Sequence, residues 1–325
     1  MNIAATTGFE AARLRSLTGD LAQIASVRRI ALDDGPGHGA RMLAFSTGGG
    51  LDFWVAADRP LDIATLSWRG VQLGWQSPAG PGARPASAGA DGGRSFDRAF
   101  GGFLVTCGLE HIRQPADGHP LHGSLPYSPA RLRAYGEDWE AAEPMLYCEG
   151  DVVQWRNGAD AYLLKRRIEA PIGGAGLRIL DRIENIGPEP LPLCLLYHFN
   201  LGYPAVAPGT VLELDGERLL GPLAMPEEEG PVPASLHLLQ AGAVAECRVR
   251  GGGTQVRFRW RSDCLPYLQL WRDLRPRRGV FSVEPCTVGR RADGSNADAP
   301  LLEPGETANF AIEVGIEATG EDKQG

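Results

Sequence analysis

The feature that most constrains this fold is a series of short runs in which apolar and polar residues alternate between glycines and prolines. In "TQVRFRWRS", Val256, Phe258 and Trp260 share one side and three arginines share the other, as in an antiparallel strand with one buried face. Similar runs recur as "YLLKRRIEAP", "LRILDRIENIG" and "VFSVEP". The 43 glycines and 25 prolines suit a chain that turns often. The pattern predicts an all-β protein, a large antiparallel β-sandwich with few short helices.

Prolines and stretches without apolar residues indicate where these runs turn or end. The segment "LDFWVAADRPLDIATLSW" alternates and turns at Arg59-Pro60, which predicts a hairpin. Residues 9–17 are expected to form a short helix. The stretch 77–94 has almost no core-forming side chains and is expected to be an exposed loop. The polar end, 318–325, is expected to be a flexible tail.

Composition indicates which kinds of binding partner and which cellular compartment to expect for this protein. A net charge of -8 and a pI near 5.4 give no electrostatic reason to expect a nucleic acid or an anionic membrane, and a small neutral ligand fits better. No apolar stretch is long enough to span a bilayer, and the N-terminus lacks a secretory pattern. Six widely spaced cysteines without a C-x-x-C pair indicate reduced, buried thiols. We therefore expect a cytoplasmic protein.

Polar residues occupy one face of a run that is otherwise apolar. In "LLYHFNLGYP", alternation places His198 and Asn200 on one face and Tyr197 and Phe199 on the other. A single histidine on a strand is most often a hydrogen-bonded structural residue. The run nevertheless raises the question of what an imidazole and an amide would do side by side there.

Two further places hold polar groups. In "VFSVEPCT", Ser282 and Glu284 share a face, and Pro285 is expected to end regular pairing. A buried carboxylate must be solvated, paired or used, because leaving it unpaired costs roughly several kcal/mol. In "GHPLHGSLPYSPA", His119 and His122 lie in a turn. Their spacing could suggest a metal, but no nearby Asp, Glu or Cys completes a ligand set, so we expect no metal site.

The ordered set "PLHGSLP", "LLYHFNLGYP" and "VFSVEPCT" resembles the aldose 1-epimerase (galactose mutarotase-like) superfamily. Further segments, "DRPLDIATLSWRGVQLGWQSP", "GGFLVTCGLEH" and "LEPGET", resemble a divergent bacterial branch of it. The similarity spans about 18–317, which implies a single β-supersandwich domain there after an N-terminal segment, 1–17. It also implies a carbohydrate bound in a cleft on one sheet face and conversion between the α and β anomers of a sugar or sugar acid without a cofactor.

The resemblance assigns roles that agree with what mutarotation requires, a base for the anomeric hydroxyl and an acid for the ring oxygen. It implies Glu284 as the base and His198 as the acid. His122 is expected to be a second donor to the ring oxygen or to orient the sugar. Asn200 is expected to fix His198, or else to bind a sugar hydroxyl.

Further sugar contacts are expected from "LQLWRD", which places Gln269, Trp271 and Asp273 on one face. Trp271 could stack on a pyranose, although a Trp is more often simply core, and Asp273 could bind hydroxyls.

Arg59 and Trp75 occupy positions that also mark the divergent branch. Arg59 could contact an acidic sugar, or it could pair with Asp58 or Asp62.

Two other functions remain open. A carbohydrate-binding or regulatory protein without turnover is favoured if Glu284 and His198 prove too far apart to contact the same sugar ring. A lyase or glycoside hydrolase on the same scaffold would need a second carboxylate or a tyrosine, for which Asp273 and Tyr127 are candidates. The partner is expected to be a small-molecule carbohydrate, and the chain could form a homodimer.

Overall fold

A computed structural model describes residues 11–82, 87–227 and 232–319. The expected N-terminal segment, the 77–94 loop and the tail therefore lie partly outside the described residues. Within these ranges there are three short helices, α1 (Ala11–Arg15), α2 (Ala90–Gly93) and α3 (Phe96–Ala99), with 3₁₀ turns at Leu21–Gln23, Gly35–Gly37 and Leu125–Tyr127. The described strands are β1 (Ser26–Ala31), β2 (Arg41–Ser46), β3 (Leu51–Ala56), β4 (Asp62–Trp68), β5 (Val71–Gln72), β6 (Leu104–Cys107), β7 (Arg131–Asp138), β8 (Met145–Trp155), β9 (Ala161–Pro171), β10 (Gly176–Asn185), β11 (Leu191–Pro192), β12 (Leu196–Leu201), β13 (Val211–Leu214), β14 (Glu217–Leu220), β15 (Val232–Leu238), β16 (Val244–Gly251), β17 (Thr254–Arg261), β18 (Tyr267–Asp273), β19 (Val280–Cys286), β20 (Leu301–Leu302) and β21 (Thr307–Ala318).

The strands form antiparallel sheets, as the alternating runs predicted. The largest sheet has nine strands in the order β14-β13-β16-β17-β21-β10-β9-β8-β7. Two five-stranded sheets, β1-β2-β3-β4-β5 and β15-β18-β19-β12-β6, accompany it, with a small pair β11-β20. One apolar core contains residues from the nine-stranded sheet and from both five-stranded sheets. The predicted all-β sandwich with few short helices is confirmed.

The core follows the period-two pattern. Val256, Phe258 and Trp260 of β17 are all buried, as predicted. The Phe258 ring lies 5.0 Å from that of Phe199 on β12, so the nine-stranded sheet packs directly on the sheet that contains β12. The predicted hairpin is β3–β4, which turns through Arg59.

The other face of the sheet containing β12 is covered around that strand, whose six residues are all buried. A covering segment, residues 87–103 and 108–124 on either side of β6, crosses this face and contributes Phe96, Ile112 and Leu121 to a second apolar cluster. That cluster includes Leu196 of β12 and Cys286 of β19. The polar face of β12 is therefore enclosed between the sheet and this covering segment.

One expectation for β19 was wrong. The strand does not end at Pro285 but continues to Cys286, which pairs with Leu196 on one side and Tyr267 on the other. Proline removes only an amide donor, and its carbonyl remains available to the sheet. The six cysteines are free, and five of them are buried. Among the described helices, none has the length and apolar character needed to cross a membrane.

Candidate active site

The register of three strands places polar side chains in a row. Gln269 on β18 pairs with Glu284 on β19. On the other side of β19, Asn200 pairs with Ser282, so the antiparallel register places His198, two residues earlier, opposite Glu284. The row Gln269, Glu284, His198 therefore crosses the sheet on the face beneath the covering segment.

A cavity of about 310 Å³ lies between this row and the covering segment. This volume is at the lower end of the range for small-molecule sites, which starts at about 300 Å³. The cavity is lined from the sheet by His198, Gln269, Trp271 and Glu284, and from the covering segment by Phe100 and His122, among others. Five of the residues predicted from the sequence therefore meet around one enclosed space.

Glu284 and His198 are in direct proximity. Oε1 of Glu284 lies 3.3 Å from Nε2 of His198, and both side chains are almost wholly buried. The approach lacks hydrogen-bond geometry, so Oε1 has no hydrogen-bond partner among the described residues. Oε2 accepts a hydrogen bond from Nε2 of Gln269. One carboxyl oxygen is thus anchored while the other remains open to a ligand.

Asn200 determines which nitrogen of His198 carries the proton. Its Nδ2 donates to the carbonyl oxygens of Gly102 and His198, each at 3.1 Å, so Oδ1 must be the acceptor. That Oδ1 accepts from the Ser282 hydroxyl at 2.9 Å and from Nδ1 of His198 at 2.6 Å. Nε2 of neutral His198 therefore presents a lone pair towards Glu284. Asn200 is fully buried and fully hydrogen-bonded, which fits its expected structural role.

Burial shifts both pKa values of the pair towards the neutral forms. It raises the pKa of Glu284 to about 8, against the hydrogen bond from Gln269 and the charges of Arg113 and Arg290. It lowers the pKa of His198 to about 4, although the hydrogen bond to Asn200 opposes this. At neutral pH the ligand-free pair is a carboxylic acid beside a neutral imidazole. This protonation is the reverse of the expected one, because the covering segment excludes the water that would solvate a carboxylate.

His122 approaches from the covering segment. It has a φ of 62° and is followed by Gly123 at 76°, where a Cβ would lie 2.2 Å from the carbonyl oxygen of His111. Nδ1 donates to the carbonyl oxygen of Ile112 at 3.1 Å. Burial and the neighbouring His198 lower the pKa of His122 to about 3. Its Nε2 is therefore an acceptor, which does not fit the expected second donor but agrees with the other expected role, orienting the sugar.

Aromatic rings form an apolar wall beside the polar row. Phe100 lies 5.1 Å from the ring of His198 and 6.0 Å from that of Trp271, measured between ring centroids. Trp271 is half-buried, and its centroid is 6.0 Å from that of His198. Rings so placed can contact the apolar face of a sugar next to the acid-base pair.

Three expected contact residues do not line this cavity. Arg59 is buried and donates to the carbonyl oxygen of Ala99 at 2.6 Å, so it supports the covering segment from behind. Trp75 donates to the carbonyl oxygen of Arg278 and packs on Phe100. Asp273 forms an ion pair with Arg275 at 2.7 Å. Their positions favour support of the cavity over contact with its contents.

The two histidines of the turn are separated by the fold. His119 stacks on His111 and lies 3.8 Å from Glu110, whereas His122 faces the cavity. Among the described residues, no group of three or more His, Cys, Asp or Glu side chains is arranged to hold a metal ion.

Most other cavity residues were not predicted from the sequence, and three of them matter for the charge and shape of the cavity. Phe100, Arg113 and Arg290 lie outside alternating runs, so no strand face could place them. The only signal for Arg113 was its position in "GLEHIRQP", a polar stretch close to the His122 turn.

A larger depression of about 620 Å³ lies on the outer face of the nine-stranded sheet. Its charged residues are largely paired with one another, as in Arg133–Asp151 and Arg167–Glu149. Its buried charges, Arg166 and Asp181, are joined by two hydrogen bonds, whereas Oε1 of Glu284 at the smaller cavity has no hydrogen-bond partner among the described residues, so we place the candidate site at the smaller cavity.

Solved structures define the class of fold. A protein from Klebsiella pneumoniae subsp. pneumoniae MGH 78578 described as a "putative aldose 1-epimerase" is 19% identical, with a TM-score of 0.76 over 89% of this chain and 83% of that chain. A galactose mutarotase-like protein from Clostridium acetobutylicum is 14% identical, with a TM-score of 0.61 over 90% and 98%. At these identities the similarity establishes a galactose mutarotase-like β-sandwich.

Within that class, the chain belongs to the family described as "Domain of unknown function (DUF4432)", whose model matches residues 37–228. The matched range includes His122 and His198 and ends before Glu284. No curated protein matches the chain.

Proposed function

We propose that the protein is an aldose 1-epimerase that interconverts the α and β anomers of a sugar by acid-base ring opening and needs no cofactor. One observation carries the proposal. At the floor of a cavity of small-molecule size, a buried carboxyl oxygen without a hydrogen-bond partner lies 3.3 Å from a histidine nitrogen that presents a lone pair. A buried polar atom left unsatisfied in this way is costly unless a ligand uses it.

The pair has the single proton that mutarotation requires. The anomeric hydroxyl and the ring oxygen are both bonded to C1, so one acid and one base close together can reach both. Glu284 gives its proton to the ring oxygen while Nε2 of His198 takes the proton of the anomeric hydroxyl. The bond from C1 to the ring oxygen breaks and an open-chain aldehyde forms.

Ring closure then restores the pair. Rotation about the C1–C2 bond presents the other face of the aldehyde, the ring oxygen attacks C1, and both protons return. In the direction that begins with ionised Glu284 and protonated His198, the roles are those that the resemblance implies. The chemistry therefore requires one proton on the pair and tolerates either location.

The other cavity residues support binding and orientation. Nε2 of His122 can accept a hydrogen bond from a sugar hydroxyl, and Trp271 with Phe100 can contact its apolar face. Gln269 and Asn200 hold the two reactive groups. The aldose 1-epimerase and galactose mutarotase-like names of the fold neighbours agree with this activity.

The alternatives find less support. A binding protein without turnover was favoured only if Glu284 and His198 were far apart, and they are adjacent. A hydrolase or lyase would use Asp273 or Tyr127. Neither lines the cavity, since Asp273 is paired with Arg275 and the Tyr127 hydroxyl accepts a hydrogen bond from Ser95.

Anomer exchange measured by NMR saturation transfer tests the activity directly. Across a panel of aldoses, deoxy sugars and uronic acids, we expect the wild type to exchange the anomers of at least one sugar. Glu284→Gln and His198→Asn should each lower kcat by roughly 100-fold or more, since each removes one proton-transfer group.

The matched control for the first variant is Glu217→Gln, which changes an exposed carboxylate on β14 and should keep wild-type exchange. A wild-type protein that binds sugars of the panel but exchanges the anomers of none would refute the proposed epimerase activity. A fully active Glu284→Gln or His198→Asn variant would refute the assigned role of that residue.

A further inference from the structure

The charge of the cavity is opposite in sign to that of the chain. Three arginines line it, Arg94, Arg113 and Arg290, against two acidic residues, Asp97 and Glu284. Arg94 and Asp97 form an ion pair at 2.9 Å and offset each other. Burial raises the pKa of Glu284 to about 8, which favours its neutral form at pH 7, and the lining would be net positive even with Glu284 ionised. Two positive charges therefore remain, on Arg113 and Arg290, although the whole chain carries -8.

Arg113 is a buried cation without a carboxylate beside it. Its side chain donates from Nη1 to Oε1 of Gln269 at 2.6 Å and from Nη2 to the carbonyl oxygens of Val288 and Gly289, at 2.7 and 3.0 Å. Nε has no hydrogen-bond partner, and only 5% of the residue is exposed. Within the described ranges no acidic group lies within 4.0 Å of it. Burying a charge without a counter-ion is unfavourable.

Arg290 completes the arrangement at the cavity mouth. It is exposed, follows directly on the carbonyls that Arg113 holds, and donates from Nη2 to the carbonyl oxygen of Ala234 at 2.6 Å. In the part of the chain that the structure describes, it has no acidic partner either, so most of its five N–H donors remain available. An arginine anchored by one donor and open at the others suits bidentate binding of an anion.

We propose that the sugar carries an anionic substituent, a carboxylate or a phosphate, which Arg290 binds at the cavity mouth in the field of Arg113. The inference rests on the proposed epimerase function, because the anomeric carbon is taken to lie at Glu284 and His198. The net charge of the chain suggested a neutral ligand, whereas the family resemblance included sugar acids. The substituent neutralises the charge that the cavity leaves unbalanced.

The experiment compares charged sugars with their neutral parents. Anomer exchange is measured for galacturonic acid against galactose, and for glucose 6-phosphate against glucose. We expect kcat/KM for at least one anionic sugar to exceed that of its parent by roughly tenfold to 100-fold, the range of a charge-assisted hydrogen bond. The pair that shows the preference distinguishes carboxylate from phosphate.

The variant Arg290→Gln should abolish most of that preference, mainly through a higher KM for the anionic sugar. Its matched control is Arg291→Gln, which removes the same charge one residue away, where the arginine pairs with Asp298 outside the cavity. This control should keep the preference.

Equal or better exchange of both neutral parents, or a preference that survives in Arg290→Gln, would overturn the anionic substrate and leave the epimerase standing. If the wild type exchanges none of the four sugars, the proposed epimerase activity is refuted. Binding of the same four sugars, measured by saturation-transfer difference NMR, then tests the anion site separately. Binding of an anionic sugar that is weakened in Arg290→Gln but not in Arg291→Gln would support the site, and binding without such a difference would refute it.

Discussion

At the scale of the residue, Glu284 and His198 owe their chemistry to burial. Each is an ordinary strand residue in sequence, and a solvent-exposed pair would be a carboxylate beside an imidazole near its usual pKa. Enclosure moves the two pKa values in opposite directions, to about 8 and about 4. The pair therefore holds one proton over a wide interval of pH.

The pH dependence of catalysis follows from this interval. Below about pH 4 His198 is protonated as well as Glu284, so the pair holds two protons and no base remains. Above about pH 8 Glu284 loses the only proton and no acid remains. We expect kcat/KM for anomer exchange to be bell-shaped, with limbs near these two values. The measurement subtracts the uncatalysed rate at each pH, and activity that keeps rising above pH 8 would contradict it.

The burial of Glu284 that suits catalysis should lower the stability of the folded state at high pH. The folded state holds the Glu284 proton to about pH 8, whereas the unfolded chain releases it near the ordinary value of 4.5. Because folded Glu284 keeps its proton between these values, the contribution of this group to stability falls as pH rises through them. The lowered pKa values of His198 and His122 act in the opposite direction below about pH 6.5, so the comparison with a Glu284 variant isolates the carboxyl group. Glu284→Gln removes this dependence, so its advantage over wild type should be small near pH 4.5 and reach a few kcal/mol, roughly, above pH 8.

Urea unfolding at a series of pH values measures that difference. Glu217→Gln, at an exposed position, should show no such trend. An advantage of Glu284→Gln that stays constant with pH would mean that Glu284 has the same pKa in both states.

At the scale of the element, β12 connects two polar environments. On its outer face His198 meets the cavity, and on its inner face the Tyr197 hydroxyl donates to Asp181 at 2.7 Å. Asp181 accepts two hydrogen bonds from the fully buried Arg166, which also reaches the hydroxyl of Thr106 on the neighbouring β6. This network fixes the strand from the core side.

Removing one partner of that buried pair should be costly. Arg166→Leu leaves Asp181 without its cation, and we expect the free energy of unfolding to fall by about 3–5 kcal/mol. The matched control is Arg133→Leu, whose ion pair with Asp151 lies on the outer face with the arginine 48% exposed, and which should lose less than about 1 kcal/mol. Denaturant unfolding compares the two, and equal losses would show that burial does not set the energy of the Arg166 pair.

The elements differ in how far the sequence predicted them. The strands β12, β17 and β19 were recognisable because alternation is a local property that each side chain reports by itself. The covering segment was not, because residues 87–103 and 108–124 have no regular period and are positioned by contacts with distant strands. Arg113, which it contributes to the cavity, was consequently missed.

At the scale of the whole molecule, three sheets share one core, and the site lies on the face of the sheet containing β12 that points away from that core. The inner face of the sheet containing β12 packs on the nine-stranded sheet, so its outer face can carry polar groups without disturbing the core. The covering segment then encloses those groups. The cavity thereby acquires a local charge that the net charge of -8 does not reveal.

By itself, the sequence determined that the chain is a β-sandwich and on which face of their strands His198, Asn200 and Glu284 lie. A period of two residues suffices for both, because it depends on neighbours along the chain. Only the tertiary structure decided that Gln269, Glu284 and His198 form one row, that Arg59 and Asp273 stand outside the cavity, and where the proton of the pair resides. Those outcomes depend on strand register and on exclusion of water by a segment far away in sequence, and neither is encoded in a local pattern.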